Sequence, residues 1–446
     1  MCYILKMSIR ILLNSLSDDV RKEIGEKLEF KMEKSFYSQQ QYGGNGNEDG
    51  NSIYAFDIRD DYIHLPLYFA VRVLKLPRPS RSSFRALDLT FNGSLRPLQK
   101  SVKKEAVKLL NKAGTCIISL YTGGGKTATS INMAIDIKLP TLIIATRLIL
   151  IDQWALSIQK FCPAAKIQKI KSKKKIKEGC DFYIINAINM PKFPEGSFSH
   201  IGTVITDEMH LLGTEKLSTS FQHVQPRYLI GLSATPYRPD GMDKLLHSYF
   251  GEKQVHRQLN RAHIAWKVET WKYIDVQLDI KMTNAGMLDW NAILNSQAAS
   301  VERNQLIVAI IKLFPERCFL VLCKRIAHAN TLETMLNEEE IDVTSLVGLK
   351  RTFDTTARVL VATVQKAGVG FDHPKLNGLI IAADVEQYFI QYLGRVFRTE
   401  EGEPVIFDIV DKFATLKRHY TTRAGVYREH GGTIKNFFKE YPNLLK

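Results

Sequence analysis

The chain has 446 residues, enough for two or three domains that each bury their own core, which argues against a single small binding module. Lysine and arginine number 61 against 46 acidic residues, and the resulting net charge of +15 favours a polyanionic partner. No apolar run approaches the roughly 18 residues that cross a bilayer, and the first residues carry no small-residue cleavage site, so we expect a soluble, intracellular protein.

Residues 1–90 are predicted to form a small accessory domain in which no chemistry can be identified. A helical stretch comes first, and the polar run 43–52, which has almost nothing to bury, is predicted to be a mobile loop. The alternating apolar runs 53–56 and 62–68 then predict strands, and the prolines and arginines of 76–83 close the region.

From about residue 95, short β-branched runs alternate with helical stretches, and the same pattern resumes after about residue 303. Examples are CIISL, TLIIAT and TVIT in the first part and CFLVLCK, RVLVATV and GLIIAAD in the second. The alternation predicts two α/β domains with doubly wound parallel sheets, 91–258 and 303–415, joined by a linker at 259–302 and followed by a tail at 416–446. The six cysteines form no C-x-x-C pair, so neither a zinc site nor a disulfide framework is predicted.

A glycine-rich loop follows the first strand of the first α/β domain. The strand run Thr115–Leu120 ends in LYTGGGKT, and a helical stretch follows at once. Glycines let the backbone wrap around phosphate oxygens, the new helix points free amides at them, Lys126 adds positive charge and the Thr127 hydroxyl can hold Mg²⁺. Leucine stands where the usual pattern begins with glycine, and a glycine-rich turn without a ligand is the alternative. The predicted phosphate loop comprises Leu120, Tyr121, Thr122, Gly123, Gly124, Gly125, Lys126 and Thr127.

A pair of carboxylates follows another predicted strand of the same domain. In TVITDEMH the strand Thr203–Thr206 is followed by Asp207 and Glu208, which emerge at its carboxyl end, where α/β sheets bind ligands. Asp207 would hold Mg²⁺ through water, and Glu208 would orient and deprotonate an attacking water. An acidic pair after an apolar run is common by chance, so its weight comes from the phosphate loop upstream.

The motifs LYTGGGKT, DEMH and SATP, in this order and spacing, resemble motifs I, II and III of DExH-type superfamily 2 helicases. The resemblance implies two RecA-like P-loop domains that hydrolyse ATP with Mg²⁺ and move on a nucleic-acid strand. It also implies that Ser233 and Thr235 hydrogen-bond the motif II carboxylates or His210. Upstream, it places Arg96 and Gln99 of LRPLQ where the family recognises adenine, a task suited to an amide that pairs with both N6 and N7.

The run QYLGRVFR in the second α/β domain resembles motif VI, Q-x-x-G-R-x-x-R. Arg395 and Arg398 are one helical turn apart and share a face. The resemblance implies that they reach the γ-phosphate across the cleft between the domains, with Gln391 as an interdomain contact. A guanidinium on the transition-state charge is worth about 10³–10⁵ in rate in phosphoryl-transfer enzymes. The alternative is an exposed basic helix whose arginines are only solvated.

Three further runs resemble helicase motifs. VLVATVQKAGVGFD resembles motif V, which places Gly368 and Gly370 near a phosphate and Asp372 near the nucleotide sugar. FLVLCKRIAHANTL resembles motif IV and TLIIATRLILIDQW resembles motif Ia, and in the family these motifs line the nucleic-acid path.

The lysine-rich run 166–177 could track phosphate or protect a sheet edge. The aromatic and basic tail could stack bases or pack a terminal helix on its domain.

The runs GLSATPYRPDGMDK and DDYIHLPLYF resemble helicases of large cytoplasmic DNA viruses, such as the poxvirus transcript-release helicase and its asfarvirus and iridovirus relatives, and also XPB-like and UvsW-like motors. The resemblance implies a role in viral transcription or DNA replication and repair, alongside that machinery, in the host cytoplasm, the nucleus or the virion. We therefore predict a nucleic-acid-dependent ATPase that acts as a helicase or translocase, with DNA favoured over RNA as its partner and no membrane partner. Two alternatives stay open: a translocase that displaces transcripts or proteins without unwinding, and an ATP-binding adaptor that does not hydrolyse.

Overall fold

The structure is a computed structural model that describes residues 8–31, 52–59, 61–121, 123–171, 175–194, 196–213, 224–234, 241–272, 274–284, 286–350, 352–368, 373, 375–385, 389–397 and 402–444. Its strands are β1 Ser8–Leu12, β2 Glu29–Lys31, β3 Ser52–Tyr54, β4 Asp57–Arg59, β5 Tyr62–Pro66, β6 Thr115–Leu120, β7 Thr141–Ala145, β8 Ile167–Ile170, β9 Phe182–Asn186, β10 Thr203–Thr206, β11 Tyr228–Ser233, β12 Gln254–Arg257, β13 His263–Glu269, β14 Phe319–Cys323, β15 Val343–Leu346, β16 Val359–Thr363, β17 Gly378–Ile381, β18 Val405–Val410 and β19 Gly432–Asn436. Its α-helices are α1 Asp18–Leu28, α2 Leu67–Arg72, α3 Pro97–Ala113, α4 Lys126–Ile137, α5 Leu148–Phe161, α6 Asp243–Phe250, α7 Trp290–Ala299, α8 Val301–Leu313, α9 Ile326–Glu338, α10 Val364–Ala367, α11 Phe389–Val396, α12 Ala414–Glu429 and α13 Phe437–Glu440. The chain divides into two compact units, one formed by Met1–Leu120 and Gly124–Arg257 and the other by Tyr121–Gly123 and Gln258–Lys446.

The first unit is built on a parallel sheet. Within its described residues, seven strands lie in the order β12-β6-β11-β10-β7-β9-β8. Strands β6, β7, β9 and β10 are buried along their whole length, which explains why their sequences are continuous apolar runs and not alternating ones. The register pairs Ile205 of β10 with Ile143 of β7 on one side and Ile230 of β11 on the other. The carboxyl ends of these strands therefore meet at one edge of the sheet.

The N-terminal residues pack on this unit and share its core. Strands β1, β5 and β4 form an antiparallel sheet, and β2 pairs with β3. Leu65 and Phe69 belong to the same buried apolar cluster as Tyr249 of α6, and the Tyr249 hydroxyl donates to the carbonyl oxygen of Ala55 at 3.2 Å. These short elements thus depend on α6 for their burial. The loop predicted at 43–52 lies outside the described residues, apart from Ser52 in β3.

The second unit contains another parallel sheet. Within its described residues, the strand order is β15-β16-β14-β17-β18-β13-β19. Strand β13 comes from the residues predicted to be a linker, and β19 comes from those predicted to be a tail. Residues 259–302 and 416–446 are therefore parts of this unit, a correction to the predicted division. The short strand HIAWKVE escaped notice because polar residues interrupt its apolar run. The tail aromatics Tyr420, Tyr427 and Phe437 are buried, so the tail packs on its domain.

The two parallel sheets, with α-helices between many of the successive strands, confirm the predicted α/β class with two domains of this type. Strand β8 is an edge of the first sheet and carries the start of the lysine-rich run. Lys169 in that strand pairs with Asp152 at 2.6 Å, an arrangement typical of a protected sheet edge. In the part of the chain that the structure describes, no helix is long and apolar enough to cross a membrane.

Candidate functional site

The glycine-rich loop runs from the end of β6 to the start of α4. Gly123 and Gly125 have positive φ angles of 89° and 88°, a backbone conformation that glycine adopts without steric cost. A Cβ atom at Gly125 would also collide with Nε2 of Gln99. The positive φ angle favours glycine at this position, and a side chain here would displace the Gln99 amide. Without side chains, the loop keeps the open backbone surface that a phosphate group needs.

Arg96 and Gln99, the predicted adenine contacts, lie at the start of α3 beside this loop. The backbone N–H of Arg96 donates to Oε1 of Gln99 at 2.7 Å, which fixes the amide group. Gln99 is buried, and its Nε2 end lies against Gly125. The structure thus brings Gln99 and the loop together, whereas the contact with adenine stays a prediction.

Lys126 and Thr127 form the first turn of α4. The Nζ ammonium of Lys126 donates to the carbonyl oxygen of Leu120 at 2.9 Å, which holds its charge beside the loop. Thr127 is half-buried in the same turn, where the free N–H groups at the start of a helix attract anions. Of the remaining loop residues, Gly124 is buried, Tyr121 is half-buried and Thr122 lies outside the described residues.

Asp207 lies at the carboxyl end of β10, which is separated from β6 only by β11. The indole Nε1–H of Trp154 donates to its Oδ2 atom at 2.8 Å, and the backbone N–H of Glu208 donates to its Oδ1 atom at 3.0 Å. Burial and the negative charge of Glu208 raise the pKa of Asp207 to about 6, while the Trp154 hydrogen bond and the Lys126 charge act in the opposite direction. A carboxylate in this environment is stabilised by a bound cation.

Glu208 adopts a left-handed backbone conformation with φ 49° and ψ 53°, which is uncommon for residues other than glycine and occurs at functional turns. Its Oε2 atom is buried and has no hydrogen-bond partner among the described residues, although Nδ1 of His210 lies 3.6 Å away. Such an acceptor can take a hydrogen bond from a water molecule. This geometry suits the predicted role of Glu208 in orienting an attacking water.

The predicted contact between SATP and DEMH is confirmed at one residue. Nδ1 of His210 lies 2.9 Å from Oγ of Ser233, at the end of β11, and both groups are buried. The hydrogen bond links the two strand ends that carry motifs II and III. Thr235, the other predicted partner, lies outside the described residues.

The donor set at this edge fits a nucleotide-bound Mg²⁺. The described residues contain no group of three or more His, Cys, Asp or Glu side chains placed to hold a metal ion. The Thr127 hydroxyl and Asp207 are hard oxygen donors of the kind that Mg²⁺ prefers, as phosphate oxygens are, and their role as ligands stays a prediction. Buried Asp207 and half-buried Glu208 offer the negative charge that such an ion requires.

Helix α11 carries the predicted motif VI residues. Gln391 and Arg395 are only 9% and 7% exposed, so Arg395 is not the solvated surface arginine of the alternative interpretation. In the predicted motif V, a Cβ atom at Gly368 would lie 3.3 Å from the Tyr392 hydroxyl of α11. Helices α11 and α4 belong to different units, and the roles of Gln391 and Arg395 toward ATP stay predictions. Three further predicted residues, Gly370, Asp372 and Arg398, lie outside the described residues.

A cavity of about 720 Å³ lies at the carboxyl ends of β14 and β16 in the second unit. Its lining includes Lys324, Arg325, Lys366 and the first residues of α9. The Nζ ammonium of Lys366 donates to the carbonyl oxygen of Lys350 at 2.9 Å, which anchors this side chain at the cavity. The runs that resemble motifs IV and V therefore meet in one basic cavity, and cationic side chains beside a helix N-terminus suit phosphate groups.

Comparison with known proteins identifies the family. Residues 92–238 match a family model described as "Type III restriction enzyme, res subunit". The "Putative helicase 161L" of Invertebrate iridescent virus 6 is 39% identical over 458 residues, covering 97% of this chain and 100% of the relative. The "Putative helicase 055L" of Frog virus 3 is 32% identical over 380 residues, covering 83% of this chain and 86% of the relative. The chain belongs to the superfamily 2 helicases of large DNA viruses.

A solved helicase has the same fold. The structure of S. cerevisiae Dbp5 bound to RNA and ADP BeF3 aligns with a TM-score of 0.52 at 14% identity, covering 79% of this chain and 98% of that one. Membership in this helicase family confirms the predicted class, a helicase-like motor that uses ATP.

Trp154 is a site residue that the sequence did not reveal. Trp154 follows an apolar run in a helical stretch, so the sequence indicates that it is buried. A buried tryptophan needs an acceptor for its indole N–H, and this need was the available signal. Its partner could be named only once β7 and β10 were known to be neighbours, which brings α5 over the end of β10.

Proposed function

We propose that this helicase-family protein is a nucleic-acid-stimulated ATPase that acts as a helicase or translocase on DNA. The observation that carries the proposal is the arrangement at one edge of the first sheet. Lys126 begins the helix after β6, and Asp207 and Glu208 follow β10, with only β11 between the two strands. This arrangement supports a site that combines phosphate-binding charge, a metal-binding oxygen and a water-binding carboxylate, the combination that phosphoryl transfer to water requires.

Each residue has a proposed task. Lys126 and the backbone of Gly123–Gly125 bind the phosphates, and Gln99 with Arg96 binds adenine. Thr127 and Asp207 hold Mg²⁺, which neutralises phosphate charge when bound. Glu208 orients the attacking water and accepts its proton, and its buried Oε2 atom supports this assignment. Arg395 and Arg398 are proposed to stabilise charge on the γ-phosphate, with Gln391 supporting them. Gly368 and Asp372 are proposed to lie near the nucleotide.

The basic cavity of the second unit is the proposed contact with the strand. Lys324, Arg325 and Lys366 would pair with sugar-phosphate groups, which give affinity without sequence preference. Because phosphate contacts release counterions, binding should weaken steeply as salt rises. We assign the strand as DNA on the relationship to DNA-virus helicases, with viral transcription or DNA replication and repair as the process served.

The decisive experiment is the ATPase rate of the purified chain with single-stranded DNA, duplex DNA and RNA. We expect stimulation by at least one of them. Lys126→Ala and Glu208→Gln should each lower kcat by about 10²–10³, as loss of one preorganised catalytic group does, and Glu208→Gln should still bind ATP. An absence of hydrolysis with all three polymers would leave the ATP-binding adaptor as the function.

RNA is the second candidate, because a relative in Acanthamoeba polyphaga mimivirus is named "Putative ATP-dependent RNA helicase L396". It is 25% identical over 401 residues, which cover 85% of this chain and 76% of the relative. Stronger stimulation by RNA than by DNA would favour it. Strand displacement compared with triplex displacement then separates unwinding from translocation alone.

Lys324→Gln tests the proposed strand contact. The change should weaken nucleic-acid binding similarly for all base sequences. It should also lower the magnitude of the slope of log binding constant against log salt concentration by about one. Lys439→Gln is the matched control, since Lys439 is exposed on α13 and does not line the cavity. An unchanged slope in Lys324→Gln would remove Lys324 from the path.

A further inference from the structure

A buried ion cluster links helix α12 to the strands beside α11. Arg423 of α12 is 3% exposed and forms a two-pronged pair with Asp408 of β18, with Nε–Oδ2 and Nη2–Oδ1 distances of 2.8 Å each. Its third nitrogen, Nη1, donates to Oδ1 of Asp384 at 2.9 Å and to the carbonyl oxygen of Val385 at 3.1 Å. One guanidinium therefore holds two carboxylates and one backbone carbonyl.

Asp384 and Val385 follow β17 in the chain and precede α11. The remaining oxygen of Asp384, Oδ2, lies 2.7 Å from Nδ1 of His419, one turn before Arg423 on α12. Tyr427, one turn after Arg423, donates its hydroxyl to Asp408 at 2.7 Å. The Tyr427 ring also packs edge-on against Phe389, the first residue of α11, with ring centroids 5.3 Å apart. Helix α12 thus contacts Asp384 and Val385, which precede α11 in the chain, and also Phe389, the first residue of α11.

The charges of this cluster are mutually stabilised. Burial alone would raise the pKa of Asp384, but the His419 hydrogen bond and the positive charges of Arg423 and Lys324 hold it below its ordinary value. Lys324 is also a residue of the basic cavity. A lysine could not replace Arg423, because an ammonium group cannot span both carboxylates and the carbonyl as a planar guanidinium does.

We propose that Arg423, acting through Asp384 and Val385, is a positioning residue that aims helix α11 and thereby the side chain of Arg395. The inference rests on the proposed role of Arg395 in ATP hydrolysis. A guanidinium contributes to phosphoryl transfer only when it is placed to within a fraction of an ångström, and a displacement of about 1 Å can lower the rate by roughly 10²-fold. The proposed nucleotide contacts Gln99 and Lys126 lie in the first unit, so we expect ATP binding to change much less than kcat.

The test compares Arg423→Lys and Asp384→Asn with the control Arg418→Lys, an exposed position on the same helix. In Asp384→Asn the pair between Arg423 and Asp408 remains, so the buried charge of Arg423 keeps a carboxylate partner. We expect kcat to fall by about 10- to 100-fold in both variants. The KM for ATP and the stoichiometry of fluorescent ATP-analogue binding should stay within twofold of the parent, and Arg418→Lys should retain the parent kcat.

A double-mutant cycle with Arg395→Ala separates positioning from a structural effect. If Arg423 acts through Arg395, adding Arg423→Lys to Arg395→Ala lowers kcat much less than it does in the parent protein. Multiplication of the two separate losses would overturn the inference, as would a parent-like kcat in Arg423→Lys, or a loss of analogue-binding sites equal to the loss of kcat in both variants. A parent-like kcat in Arg395→Ala itself would instead refute the proposed role of Arg395, on which the inference depends.

Discussion

The hydrogen bond from Trp154 to Asp207 can be tested by replacing Trp154 with phenylalanine. The change removes the indole N–H that donates to Oδ2 at 2.8 Å while keeping an aromatic ring in the core. Losing a hydrogen bond to a charged group costs about 1.5–3 kcal/mol, and the smaller ring leaves a void that costs about 1 kcal/mol more. Residues that orient a metal ligand typically contribute 10- to 100-fold in metal affinity or activity. We therefore expect Trp154→Phe to weaken the apparent Mg²⁺ affinity in the ATPase assay by about 10- to 100-fold.

Trp266→Phe is the matched control for this change. Trp266 is 5% exposed, and its indole nitrogen has no hydrogen-bond partner within the described residues, so the substitution creates a similar void without breaking a hydrogen bond. Mg²⁺ titrations of ATP hydrolysis should therefore show a shift in Trp154→Phe and none in Trp266→Phe. Equal Mg²⁺ titrations for both folded variants would refute the role of Trp154 in holding Asp207.

Two further predictions concern the phosphate loop and pH. Gly125→Ala should weaken ATP-analogue binding, because the new Cβ would displace the Gln99 amide from its place beside the loop. Gly179→Ala, at a similar φ of 81° with open space around it, should retain parent binding. Parent-like binding in both variants would show that the loop tolerates a side chain. Burial and the charge of Arg303 lower the pKa of His328 from 6.5 to about 3, so the unfolded chain takes up a proton below pH 6.5 that the folded chain does not. The free energy of unfolding should then fall by about 1.4 kcal/mol between about pH 7.5 and 5.5. The unfolding free energy of His328→Gln, measured by denaturation at each pH, should lack this part of the decline. Parallel curves of unfolding free energy against pH for the two proteins would contradict the prediction.

The sequence alone predicted the class of fold and supplied the residues that are proposed to bind ATP. Continuous β-branched runs predicted buried parallel strands, since such strands are covered on both faces. The glycines before Lys126 and the carboxylates after β10 were recognisable because each group is contiguous in the chain and its chemistry depends on local backbone geometry. Strand β13 escaped prediction because polar residues interrupt its apolar run, and its place between β18 and β19 is set by those neighbours.

Only the tertiary structure decided which distant side chains meet. Trp154 and Asp207 are 53 residues apart and form a hydrogen bond because β7 and β10 are neighbours in the sheet. Asp384 and Arg423 are 39 residues apart and pair because α12 packs beside the end of β17. Local sequence encodes strands, helices and loops through backbone preference and burial, but strand order determines these contacts. For that reason the glycine-rich loop was predictable from the sequence, whereas the contacts of Trp154 with Asp207 and of Arg423 with Asp384 were not.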